Sequence, residues 1–259
     1  MSDNAPVTLQ VAGASKRFGG LQALSDVGIR IRRGQIYGLI GPNGAGKTTF
    51  FNVITGMYTP DSGEFSLEGS AYRPQAVHQV AREGIARTFQ NIRLFPDMTA
   101  LENVMVGRHL RGRAGFVAGM LRLGWTRREE EAVREKAREL MEFLGIGALA
   151  DREATSLAYG QQRAVELARA LACEPRMVLL DEPAAGLNMR ETADLARLIA
   201  RIRDRGVTVL LVEHDMSLVM GISDEVAVLS YGEKIADAVP AAVQRDPQVV
   251  KVYLGDEEC

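Results

Sequence analysis

Gly41-Pro42-Asn43-Gly44-Ala45-Gly46-Lys47-Thr48 satisfies the pattern G-x-x-x-x-G-K-[ST] in full, and Thr49 follows it. Glycines at these places let successive backbone N–H groups turn inward around phosphate oxygens, and a helix starting there adds its positive dipole end. The Lys47 ammonium supplies a point charge to the outer phosphates, and the Thr48 hydroxyl is a ligand for Mg²⁺. A second acidic element completes such a site: the apolar run at 177–180 ends on Asp181, with Glu182 immediately after it. One carboxylate there can serve the metal and the next can polarise water. No N-K-x-D stretch that would read a guanine occurs anywhere in the chain. His214, in Glu213-His214-Asp215, follows the apolar run 207–212, and taken alone it reads as a satisfied surface histidine.

These residues need elements to place them. Residues 35–40 form a near-continuous apolar run into the glycine loop, as expected of a strand covered on both faces, and 49–54 read as the helix after it, stopped by Gly56 and Pro60. Strand, phosphate loop and helix in that order are the context the motif requires. Residues 7–40 alternate apolar and polar positions, Leu9 and Val11, then Val27, Ile29 and Ile31, broken by glycine turns at 18–20 and 33–34, and are expected to form short antiparallel strands. The middle third is helical: Ala132, Val133, Ala137, Leu140, Met141 and Leu144 share one predicted face, with Glu130 four residues before Arg134. A helix from Gly160 to about Cys173, a strand at 177–180, a helix through Leu195, Leu198, Ile199 and Ile202, and a strand at 207–212 follow. Alternation at this spacing predicts an α/β fold with a mostly parallel sheet, accompanied by an antiparallel β subdomain and a helical subdomain.

The 259 residues, 46% apolar and 25% charged, describe a globular chain. With 31 basic against 33 acidic residues, the balance argues against a nucleic-acid-coating protein. No apolar run approaches the roughly 20 residues of a spanning helix. The start, MSDNAPVT, carries no export pattern, and Cys173 with Cys259 forms no disulfide framework or metal cluster. A reduced, cytoplasmic compartment is expected.

Leu157-Ala158-Tyr159-Gly160-Gln161 resembles the LSGGQ-type signature of ATP-binding cassette (ABC) proteins, and the rest of that family's order accompanies it. Gln90 in Arg87-Thr88-Phe89-Gln90 resembles the Q-loop, 184–188 with Gly186, Leu187 and Asn188 the D-loop, and His214 the switch histidine. The stretches LAYGQQR, DEPAAGLN and VEHDMSLVMGISD are similar to LivG-type ATPase subunits of branched-chain amino-acid importers. The resemblance covers essentially the whole chain. It implies a single ABC ATPase domain over 1–259, with a P-loop NTPase core and a helical subdomain inserted at about 95–165.

What the resemblance implies for the site is ATP and Mg²⁺ bound by residues 41–49, with Gln90 joining Thr48 and Asp181 at the metal. Phe18 stands where the family stacks an aromatic ring on adenine. Glu182 is then the general base and His214 its organiser, while Leu157 to Gln161 serve the nucleotide of a partner. That implies a dimer with a second ABC ATPase subunit, LivF-type or a second copy. Two membrane permease subunits, an external solute-binding protein and a peripheral place on the cytoplasmic membrane face follow from the same likeness.

The chain departs from the pattern twice. Ala158 replaces the signature serine and Tyr159 its first glycine, leaving Ser156 as the nearby hydroxyl; Asn188 replaces the usual D-loop aspartate. Slow ATPase is expected of the isolated chain. Arg108, Arg111, Arg113, Arg122, Arg127 and Arg128, interleaved with apolar residues, form either a basic amphipathic face or a solvated loop. Alternatives to branched-chain amino-acid import are a urea, short-amide or other amino-acid importer, a soluble ABC ATPase outside transport, and a regulatory module that does not hydrolyse.

Overall fold

A computed structural model describes residues 5–74, 77–88, 90, 92–108 and 124–254, without the side chains of 124–129 and 254. In chain order its elements are β1 (Val7–Phe18), β2 (Leu21–Arg32), β3 (Ile36–Ile40), α1 (Lys47–Ile54), β4 (Ser62–Leu67), β5 (Ser70–Ala71), α2 (Val77–Arg82), β6 (Ile85–Arg87), α3 (Ala100–Arg108) and α4 (Gly124–Phe143). They continue with α5 (Tyr159–Ala172), β7 (Met177–Asp181), α6 (Met189–Asp204), β8 (Thr208–Val212), α7 (Met216–Ile222), β9 (Glu225–Ser230), β10 (Glu233–Ala238), α8 (Pro240–Val243) and α9 (Pro247–Leu254). The chain divides into two compact units, one of Met1–Arg87 with Arg176–Cys259 and one of Thr88–Pro175.

The first unit holds both sheets. One is antiparallel, in the order β2-β1-β4-β5; the other runs β10-β9-β3-β8-β7-β6, parallel except for the β10 edge. All five positions of β3, β7 and β8 are buried, which accounts for their unbroken apolar sequences. Leu9, Ile29 and Ile31 from the antiparallel sheet share one core with Leu39, Phe50, Phe51, Leu179 and Leu210. Burying side chains of this size stabilises by about 1.5–3 kcal/mol each.

The antiparallel strands expected ahead of the glycine loop are present, bounded by the predicted turns at 18–20 and 33–34, but they are long, 12 residues each. Local alternation breaks at Gly13 and Asp26, but the pairing of β1 with β2 continues through register shifts at those places. Cross-strand hydrogen bonding therefore carries the ladder past irregularities that interrupt its sequence pattern.

The register of the parallel sheet sets the site. Asp181 stands opposite Val212 and Val212 opposite Leu39, so the loops after β3, β7 and β8 leave the sheet at one level. In parallel sheets that carboxyl edge is where ligands collect.

In the second unit α3 packs on α4 and α5. Thr99 and Glu102 form a reciprocal cap at the start of α3: the Glu102 carboxylate accepts from the Thr99 N–H at 2.8 Å, and the Thr99 hydroxyl accepts from the Glu102 N–H at 3.2 Å. The fully buried Asn103 amide accepts from the Phe95 N–H at 2.8 Å and donates to the Thr99 carbonyl at 3.0 Å, pinning the preceding loop to the helix. On α4 the predicted apolar face is buried at Ala137, Leu140 and Met141, with Leu144 just beyond, whereas Ala132 is exposed and Val133 half-buried. Glu130 and Arg134 pair at 3.2 Å. Of the arginine-rich segment, 109–123 lies outside the described residues, as do the side chains of Trp125, Arg127 and Arg128. Arg108 pairs with Glu174 at 2.6 Å.

Candidate active site

The glycine loop is built for close backbone approach. Gly41 has φ 149°, and a Cβ there would lie 2.2 Å from the Leu229 carbonyl oxygen. Gly46, at φ 102°, is the N-cap of α1, and a Cβ on it would meet the Ala23 carbonyl at 2.7 Å. Neither place admits a side chain. No side chain caps the first turn of α1, and that turn carries no acid, so its backbone donors and positive dipole end suit an anion. Pro42 and Gly46 are half-buried, Ala45 is buried, and Asn43, Gly44 and Thr48 are exposed along the loop. Thr49 is half-buried.

Lys47 begins α1 and is 9% exposed. Its ammonium donates to the carbonyls of Gly41 at 2.6 Å and Pro42 at 3.0 Å. Burial draws its pKa below the ordinary lysine value, and the carboxylates of Glu182 and Asp181 oppose that shift. The lysine thus belongs electrostatically to the same cluster as the β7 carboxylates. Cradle, ammonium, Thr48 hydroxyl and Asp181 carboxylate form a donor set that fits the phosphates of a nucleotide and a hard divalent cation.

Asp181 ends β7 buried, and its Oδ2 accepts from Arg87 Nη2 at 2.7 Å. Glu182 turns out of the strand at φ 45°, a conformation that costs a non-glycine residue about 1–3 kcal/mol and is met at functional sites. Two backbone bonds hold it there: its N–H donates to the Val212 carbonyl at 2.9 Å, and its carbonyl accepts from Ala185 at 3.1 Å. His214 Nδ1 lies 3.8 Å from Glu182 Oε2 and 3.7 Å from Glu213 Oε2. The structure thereby brings Lys47, Asp181, Glu182 and His214 to one sheet edge.

Glu213 is a residue that sequence reasoning passes over. It is 1% exposed, burial raises its pKa, and its carboxylate accepts from the Ala184 N–H at 2.7 Å and the His214 N–H at 3.2 Å. It ties the loop after β7 to the loop after β8. Its only signal in sequence was adjacency to His214. Asp215 caps α7 by accepting from Ser217 and Leu218 N–H groups at 2.9 and 3.2 Å. Gly186 and Leu187 form the turn before α6, where Leu187 N–H donates to the Ala184 carbonyl at 3.0 Å. Asn188 then caps α6, accepting from Arg190 and Glu191 N–H groups at 3.0 Å each while Glu191 accepts from the Asn188 N–H at 2.9 Å.

Phe18 ends β1 with 42% of its surface exposed, so it is not a core residue. Tyr58, which the sequence did not single out, meets it edge-on at 5.1 Å between ring centroids. Together they offer an aromatic platform of the kind a base can stack on.

In the second unit the signature residues start α5. Leu157 is buried; Ala158 and Tyr159 are exposed; Gly160 and Gln161 are half-buried. Gln161 Oε1 accepts from the Ala158 N–H at 3.1 Å, doing part of a cap's work where Ala158 has no oxygen. The Ser156 hydroxyl donates to the Glu153 carbonyl at 2.8 Å within its own turn. Gln90 is exposed, and its backbone carbonyl accepts from Arg163 Nη2 at 2.9 Å. Arg163 is itself buried against Glu166 at 2.8 Å.

A sequence-family model described as "ABC transporter" matches residues 24–185, and one described as "Branched-chain amino acid ATP-binding cassette transporter" matches 233–259. Among curated proteins the chain is similar to the high-affinity branched-chain amino acid transport ATP-binding protein BraF of Pseudomonas aeruginosa, 47% identical over 96% of this chain and 98% of that one. It is similar also to LivG of Escherichia coli, described in the same terms, at 43% over the same shares. Among solved structures, the ADP conformation of MJ1267, an ATP-binding cassette of an ABC transporter, superposes with a TM-score of 0.84 at 34% identity, covering 96% of this chain and 99% of that one.

Proposed function

The chain belongs to the ATP-binding cassette family, and from that premise we propose that it hydrolyses ATP to drive import of branched-chain amino acids through separate membrane subunits. The observation that carries the substrate class is near-full-length similarity to branched-chain transport ATP-binding proteins, joined to the C-terminal match at 233–259.

The loop 41–49 and the Lys47 ammonium bind and orient the triphosphate, and the Phe18–Tyr58 platform takes the adenine. Glu182 accepts the proton of the attacking water, and His214, beside the Glu182 and Glu213 carboxylates, orients that water and the terminal phosphate. Mg²⁺, held by Thr48 and Asp181, would neutralise charge on the phosphate oxygens. Glu213 and Asn188 keep the two catalytic loops in place through backbone N–H groups.

The signature, Leu157 to Gln161, serves the nucleotide of a second ATPase subunit, LivF-type or a second copy of this chain. Permease subunits then receive the motion, with a solute-binding protein outside. Among the described residues no helix is long and apolar enough to cross a membrane, and attachment through permeases gives the chain a peripheral place on the cytoplasmic face. Expression with and without the permease pair tests this reading. Recovery in the membrane fraction only with the permeases supports it, and equal distribution in both cases refutes it.

A further inference from the structure

The Arg87 guanidinium occupies a place in the first unit that hydrolysis as described above does not use. Arg87 ends β6 in parallel register with Leu179, two residues before Asp181 on the neighbouring strand. Its Nη2 donates to Asp181 Oδ2 at 2.7 Å, with both side chains about one-tenth exposed. Its Nη1 donates to Asn52 Oδ1 at 2.7 Å and Thr55 Oγ1 at 3.1 Å, and the guanidinium lies 5.6 Å from the centroid of the Phe51 ring. Asn52 and Phe51 belong to α1 and Thr55 caps its end, so one planar fork joins the β7 carboxylate to the helix that begins with Lys47 and Thr48.

Two consequences follow from the chemistry of that fork. A carboxylate bonded through Oδ2 to a rigid, fully charged donor has its plane fixed, leaving Oδ1 as the oxygen to serve a metal or its water. The same positive charge withdraws part of the attraction that Asp181 would exert on a cation. We propose that Arg87 is a positioning residue that sets the orientation and effective charge of the Asp181 carboxylate, and so the Mg²⁺ dependence of nucleotide binding and hydrolysis. The proposal rests on the reading that Asp181 serves the metal.

Binding of a fluorescent ATP analogue to the full chain, titrated with Mg²⁺ and repeated in chelator, tests it alongside steady-state hydrolysis. Arg87→Gln releases Asp181, so the Mg²⁺ concentration at half-maximal binding falls and kcat at saturating Mg²⁺ drops, each by about tenfold, the scale on which partners of metal ligands act. Binding in chelator stays at the wild-type level. Arg87→Lys keeps a charge but cannot span both partners, so its Mg²⁺ midpoint stays near wild type while kcat falls. A merely structural arginine would lower thermal stability and leave the midpoint alone.

An Arg87→Gln midpoint that stays or rises, beside an Asp181→Asn variant whose Mg²⁺ response is lost, overturns the role of Arg87 alone. A wild-type Mg²⁺ response in Asp181→Asn overturns the metal reading of Asp181 and this proposal with it. Should Arg87→Gln not fold, Arg87→Lys and Asn52→Ala decide the matter: kcat reduced in both at a wild-type melting temperature supports it, and any other result overturns it.

Discussion

Glu182→Gln separates chemistry from binding more cleanly than other changes at the sheet edge. The amide is isosteric, so the φ 45° backbone and its bonds to Val212 and Ala185 are retained. What is lost is a proton acceptor and one negative charge. A positioned general base contributes about 10²–10⁴-fold, or about 3–5 kcal/mol of barrier at roughly 1.4 kcal/mol per decade. His214 keeps Glu213 at 3.7 Å, so its loop has no reason to rearrange. Removing a carboxylate that acts on Lys47 also lessens repulsion toward a polyanion, so ATP affinity holds or improves. Single-turnover phosphate release, measured beside equilibrium binding of a fluorescent ATP analogue, reads both quantities. Release falling by at least about a hundredfold with unimpaired binding is expected. Release within a few-fold of wild type would refute Glu182 as the base.

Phe18→Ala removes half of the aromatic platform with Tyr58; base stacking of about 1–3 kcal/mol predicts a KM for ATP raised roughly tenfold with kcat unchanged, read from steady-state kinetics. Asn188→Ala deletes a cap that satisfies two N–H groups of α6, costing about 1 kcal/mol in denaturant unfolding, and Asn188→Asp restores it. Asp215 has its pKa lowered chiefly by the Ser217 hydroxyl and then by the Leu218 and Ser217 N–H groups, against the effect of desolvation. A depressed carboxylate stabilises above its unfolded pKa and loses that contribution as pH falls through its folded one. The stability advantage of wild type over Asp215→Asn is therefore expected at neutral pH and shrinks below about pH 4, as thermal melts across pH would show; an advantage constant down to pH 2 would contradict it.

The parts legible in sequence are those whose physics is contiguous. The glycine loop announces itself because the residues that must lack side chains lie within eight positions, between a buried strand and the helix that uses Gly46 as its cap. β7 and β8 are readable from unbroken apolar runs because burial on both faces leaves no room for alternation. Arg87 and Asp181 are 94 residues apart, and only the β6–β7 register brings them together. Ala184 and Glu213 meet only through the packing of two loops. Tyr58 was hidden for the same reason: nothing local says that the chain after α1 returns to the end of β1. In sequence Asn188 keeps hydrogen bonding while removing a charge, and the structure shows what that hydrogen bonding does: its amide oxygen caps a helix, work that asparagine does as well as aspartate.

Uptake of labelled leucine reads the proposed import itself, in source cells lacking their own copy of the gene and supplied with wild type or Lys47→Ala, with labelled urea run in parallel. Leucine uptake is expected to return with wild type and to be lost with Lys47→Ala, with urea uptake the same in both. Leucine uptake equal in the two strains, or a loss confined to urea, would contradict it.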